Sequence, residues 1–212
     1  MSQNYQFLDN TIYKRGFTWA YSIIPKSEMF EINCPKCGIR GRYPSGAFDV
    51  VVEGGSKFPD VLGCGAYPLL IVSEEVITDW KNAGIKSFDT YPVGIAEVQS
   101  KKLQDVQPPK YFRVEITGNC KIDLEKSGFH LLKKCSECGH THFEGRATSG
   151  FQMVPGSWDG SPVFRDFDVF PRVTFCTELI VELAREQKRT NFRFVLMDEP
   201  EDASNKGLDY LK

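Results

Sequence analysis

Four of the seven cysteines fall in two copies of one pattern, Cys34-Pro35-Lys36-Cys37-Gly38 and Cys135-Ser136-Glu137-Cys138-Gly139. A C-x-x-C turn offers two thiolates to one side of a tetrahedral Zn²⁺ site. The glycine behind the second cysteine permits the positive φ that aims backbone N–H groups at the sulfurs. Two such turns supply four ligands. Residues 38–134 separate the pairs, against roughly 15–20 residues in a compact zinc module, so a shared site needs a fold that brings distant segments together. A Zn(Cys)₄ centre carries two net negative charges, and Lys36, Arg40, Arg42, Lys133 and Lys134 stand close enough in the chain to offset them. On the residues alone, one structural zinc shared by Cys34, Cys37, Cys135 and Cys138 competes with three other arrangements. These are metal-free knuckles, a redox-active pair, and two separate sites with His140 or His142 completing the second.

Composition narrows the class. With 212 residues, 41% of them hydrophobic and 13% aromatic, the chain can bury a substantial core. A net charge of −2 and a pI near 6.0 lack the basic excess that phosphate backbones select, which argues against nucleic acid as a partner. The first ten residues carry no secretory leader pattern, and the longest apolar run, 66–72, is far too short to span a bilayer. A cytoplasmic protein without a disulfide framework is therefore expected. Cys64, Cys120 and Cys176 read as small buried residues.

The elements that must position the knuckles follow from periodicity. Strands are expected up to Pro25 and over 47–52, 68–72, 88–98, 111–117, 128–133, 172–176 and 192–196. Ser73 caps a helix over 74–83 with Val76, Ile77, Trp80 and Ala83 inward, ended by Gly84. Thr177 caps a second over 178–189 with Leu179, Ile180, Leu183 and Ala184 inward. The Pro-Pro segment 99–110 reads as a linker, giving an N-terminal half, 1–98, and a C-terminal half, 111–212, each with one knuckle. The knuckles are offset by 101 residues, and Tyr67-Pro68 echoes Phe170-Pro171 at an offset of 103. The expected fold is thus α+β, a mainly antiparallel sheet with two helices, in two related halves joined by the paired-knuckle zinc site.

The two knuckles, with Trp158-Asp159-Gly160-Ser161, Phe164-Arg165 and Phe175-Cys176-Thr177-Glu178 downstream, resemble the double-CxxCG motif family of bacterial proteins over residues 30–197. The resemblance implies a cytoplasmic immunity protein that neutralises a cognate intercellular toxin and has no catalytic activity of its own. A thiol oxidoreductase and a zinc-ribbon nucleic-acid module are the alternatives. No phosphate loop, nucleophile elbow or H-E-x-x-H sequence favours an enzyme. If the toxin is a nuclease, its cleft is basic, and the acidic tail with Asp198, Glu199, Glu201 and Asp202 becomes the candidate docking segment. The turn-rich loop 155–162, with Trp158 and Asp159, is the other.

Overall fold

The computed structural model describes residues 4–7, 16–26, 29–64, 69–147 and 150–198. Its strands are β1 (Asn4–Phe7), β2 (Trp19–Pro25), β3 (Met29–Asn33), β4 (Arg40–Pro44), β5 (Phe48–Glu53), β6 (Val61–Cys64), β7 (Leu70–Ser73), β8 (Phe88–Val98), β9 (Tyr111–Ile116), β10 (Phe129–Lys134), β11 (Thr141–Gly145), β12 (Val163–Asp166), β13 (Phe170–Thr177) and β14 (Phe194–Leu196). The helices are α1 (Glu74–Asn82) and α2 (Glu178–Glu186). Strand content dominates, as the alternating apolar stretches require.

Six strands close into a barrel in the order β2-β5-β8-β9-β7-β6. Among the described strand pairs only β2–β6 and β5–β8 run parallel. The unbroken apolar run of β7 is explained by burial on both faces. Ile71 points into the barrel with Phe48, Val50, Val52 and Leu62, while Leu70 and Val72 point outward under the helices. A second sheet runs β12-β13-β1-β14, and β13 repeats the two-sided burial. Phe175 faces a core with Cys120, Phe151 and Phe164, and Cys176 faces the helices.

The expected division at 99–110 does not coincide with the sheets. Strands β8 and β9, on either side of that segment, are antiparallel neighbours in one barrel. Leu103 is buried and the Ser100 hydroxyl donates to Gly55 O at 2.8 Å, which fastens the segment to the barrel. Conversely β1, at the start of the chain, lies between β13 and β14. The order β6-β7-β9-β8 and the order β12-β13-β1-β14 have the same antiparallel polarity throughout. The registers agree too. Val72 faces Phe112 as Cys176 faces Tyr5, and Thr90 faces Val114 as Phe194 faces Phe7. Each half lends its first strand to the other's sheet.

Between the sheets lies a shared core. Val76, Ile77 and Trp80 of α1 meet Ile180, Val181 and Ala184 of α2 there, together with Phe88, Phe192 and Phe194. The inward stripe of α2 is rotated from the one expected, with Val181 buried and Leu179 exposed. Residues 180, 181 and 184 subtend the arc facing α1, and Leu179 sits one step of about 100° outside it. That helix also ends three residues early, at Glu186, because Lys188 takes φ 53°. Both cap positions are as expected, but neither side chain caps. The Ser73 hydroxyl instead donates to Asp60 Oδ1 at 3.0 Å, a charged acceptor stronger than a neutral one. Asp60 also accepts from the Thr190 N–H at 2.6 Å, and Arg189 Nε donates to Asp79 at 2.7 Å, clasping the loop after α2 to α1.

Trp80 is 3% exposed and stands edge-on to Phe88 at 5.3 Å. Trp80→Ala is expected to lower unfolding free energy by about 3–5 kcal/mol, read from the urea midpoint at unchanged m-value.

Candidate metal centre

Each knuckle forms the turn of a two-stranded antiparallel hairpin, β3–β4 for the first and β10–β11 for the second. The turns are matched bond for bond. Cys34 N–H donates to Ile39 O at 3.0 Å and Gly38 N–H to Cys34 O at 2.9 Å. Cys135 N–H donates to His140 O at 2.8 Å and Gly139 N–H to Cys135 O at 2.9 Å. Gly38 and Gly139 take φ 74° and 73°, and a Cβ on either would meet nothing within 4 Å. The glycines therefore answer a conformational demand and not a steric one.

The hairpins meet at their tips. Cys34 Sγ lies 3.8 Å from Cys135 Sγ, Cys37 Sγ lies 3.5 Å from Cys138 Sγ, and all four sulfurs fall within 4.8 Å of one another. Metal–sulfur bonds of about 2.3 Å at tetrahedral angles put sulfurs about 3.8 Å apart, so the cluster has the dimensions of a four-thiolate metal site. Lys36 Nζ donates to Ser136 Oγ at 2.6 Å, joining the tips outside the sulfurs. The expected convergence of Cys34, Cys37, Cys135 and Cys138 is thus present despite the long separation in sequence.

Electrostatics favour a cation at this point. The backbone N–H groups of Cys138 and Glu137 lower the Cys135 thiol to about 6. Cys138 moves the other way, up to about 12. The His140 N–H favours its thiolate, but desolvation and the sulfurs of Cys37, Cys34 and Cys135 outweigh that donor. Four sulfurs this close cannot all ionise without a counter-charge, which a divalent ion would supply.

His140 and His142 stand beside the centre and contact each other edge-on, with ring centroids 4.8 Å apart. Among the described residues the gathered donor set is the four cysteines alone. Burial, then His142 and Arg172, lower the His140 pKa. Cys64, Cys120 and Cys176 are buried, and burial first of all pushes the Cys120 thiol up to about 12 and raises Cys176 as well. They are packing residues.

Trp158 and Asp159 serve the fold. Trp158 is half-buried against Phe164, and its indole N–H donates to Ser161 O at 3.0 Å. The Asp159 carboxylate accepts from the N–H of Asn119 at 2.8 Å and of Ser161 at 2.9 Å; desolvation raises its pKa, but the hydrogen bonds from Ser161 and Asn119 together outweigh it and hold the pKa below the usual value. Asp198 is exposed; Glu199, Glu201 and Asp202 lie outside the described residues.

Two supports carried no sequence signal. Arg113 on β9 is 4% exposed, lies 4.4 Å over the Tyr91 ring and donates to Pro44 O and Ser45 O at the root of the first hairpin. Asp166, 1% exposed, accepts backbone N–H groups of Ile122, Asp168 and Val169 at 2.8, 3.0 and 3.1 Å and braces the core under the second. Their hydrogen-bond acceptors and donors named here are backbone atoms, which no residue pattern announces.

Compared with known proteins, the chain matches no family model and aligns with no curated protein. Among the described residues no helix is long and apolar enough to cross a membrane.

Cys34→Ser is expected to lower the melting temperature sharply and to leave the other three sulfurs open to chelator competition, checked by calorimetry with and without EDTA. The lowered Asp159 pKa gives a second expectation. Its stabilising contribution is fully present above the ordinary carboxyl value and is lost as pH falls through the lowered one. Amide protection at Asn119 and Ser161 should accordingly persist above about pH 4 and fall away on further acidification. Asp159→Asn should remove that acid dependence.

Proposed function

We propose that this chain is an immunity protein, stapled by one structural zinc, that binds a cognate bacterial toxin stoichiometrically and without turnover. The observation that carries this reading is the convergence of both CxxCG knuckles on one four-sulfur cluster. It gives the paired motif of the double-CxxCG resemblance a single physical role. Zinc is the ion proposed because four thiolates at tetrahedral spacing suit it. Such a site is closed, with no open position for a substrate. Binding free energies of about 10–16 kcal/mol for structural zinc in small peptides rival the whole stability of a domain. The matched strand orders support two related halves descended from one unit, with zinc at their junction.

An oxidoreductase is disfavoured by position. Both C-x-x-C pairs sit in hairpin turns, away from the N-termini of α1 and α2, where a helix dipole would activate a thiol. The zinc-ribbon reading draws on the exposed Lys36, Arg40, Lys133 and Lys134 around the knuckles. Those same cations offset the thiolate charge.

The partner is a toxin encoded at the same locus, with a nuclease the case that best suits an acidic antidote. Protein purified without chelator should contain about one zinc per chain by elemental analysis, and zinc-free folded protein would remove the staple. A one-to-one complex with the neighbouring toxin on size exclusion is the expected result. No binding at micromolar concentration ends the immunity reading. If the acidic tail docks, deleting residues 198–212 should slow association and flatten its salt dependence.

A further inference from the structure

We infer that Cys37 and Cys138 are an oxidation site. There a peroxide-class oxidant converts the outer edge of the four-sulfur centre into a disulfide linking the two hairpins. The inference rests on the proposed zinc occupancy, and its test separates the two. The centre is not uniform. Cys34 and Cys135 are 4% and 6% exposed, whereas Cys37 is half-buried and Cys138 exposed. Access therefore directs a small oxidant to the rim.

The two accessible rim sulfurs are also near neighbours. Cys37 Sγ and Cys138 Sγ stand 3.5 Å apart and belong to different knuckles. A disulfide needs a separation of about 2.05 Å, so a closure of about 1.5 Å suffices. Both sulfurs sit on turn tips, which the Lys36–Ser136 hydrogen bond already holds together. The bond expected is thus between hairpins and not within a C-x-x-C turn. The remaining pair, Cys34 and Cys135, stays buried beneath it.

Zinc has no accessible redox chemistry, so both electrons come from sulfur. Hydrogen peroxide is attacked by one rim thiolate; its O–O bond breaks, a sulfenic acid forms, and the hydroxide released takes a proton to become water. The facing thiolate then attacks the sulfenic sulfur. The S–S bond forms, the S–O bond breaks, and a second hydroxide leaves as water after protonation. Two thiolates, one peroxide and two protons give one disulfide and two waters. Cys34 and Cys135 would then be the only thiolates left, too few to hold a divalent ion.

The test uses the protein as isolated, treated with one equivalent of hydrogen peroxide. A chromogenic indicator follows zinc, and non-reducing digestion with mass spectrometry maps the bonds. The expected result is a Cys37–Cys138 link, faster migration on non-reducing gels because residues 38–137 become looped, release of about one zinc per link, and reversal by dithiothreitol. Links confined to Cys34–Cys37 or Cys135–Cys138, or sulfinic acids without a link, overturn the inference. C37S should lose the link. Should that variant fail to fold, limiting iodoacetamide on the wild-type chain decides. On the metal-bearing chain, where all four sulfurs are thiolates, Cys37 and Cys138 should label about tenfold faster than Cys34 and Cys135, as access dictates; equal rates overturn the assignment. Isolated protein that holds no metal yet forms the Cys37–Cys138 link would remove the zinc reading and keep the oxidation site. Metal-bearing protein that forms within-knuckle links alone would do the opposite.

Discussion

The constraint on which the rest depends is the reciprocal exchange of first strands. Strand β9 supplies hydrogen bonds to both β7 and β8 and closes the barrel, and β1 does the same for β13 and β14. Neither half can satisfy its backbone donors and acceptors alone, and buried unpaired groups cost about 1–3 kcal/mol each. The halves are therefore one cooperative unit. With the sheets locked in this way, α1 and α2 are forced face to face, and the two hairpins are carried to the same place.

The helix contact pairs matching positions of unlike size. Trp80 and Ala184 stand at the same point of their helices, and one large and one small side chain fill the space between. Two indoles there would overfill the core and two methyls would leave a cavity, each costing several kcal/mol. The clasp of Asp60, Thr190, Arg189 and Asp79 is lopsided in the same sense, since its carboxylates come from the first half and its donors from the second. The two halves thus meet as complements and not as copies.

Much of this was legible in the sequence because it is local. The helices, their cap positions and Gly84 follow from side-chain periodicity and from a glycine at positive φ. The four-cysteine cluster was legible because C-x-x-C-G encodes its own turn. Strands β3, β4, β6, β11 and β12 were not anticipated. In the hairpins polar residues interrupt the alternation, Phe30, Leu131 and Leu132 being exposed and flanked by charges. The segment 99–110 reads as a linker because proline and polar residues dominate it, yet a long hairpin connection between antiparallel neighbours has the same composition. Strand exchange leaves no local trace, because β1 and β9 look like ordinary strands whichever sheet they join. The loop with Trp158 and Asp159 is surface, as the sequence reads, but its hydrogen bonds to backbone groups leave no trace in the residue pattern.

The position of β1 also bears on how the chain emerges from the ribosome. Residues 4–7 are among the first to be made, and their partners in β14 end at Leu196. At about 5–20 residues per second, β1 waits on the order of 10–40 s before its slot exists. The barrel, in contrast, has all its strands once residue 116 is out. Vectorial synthesis thus leaves the first-made strand to be incorporated last.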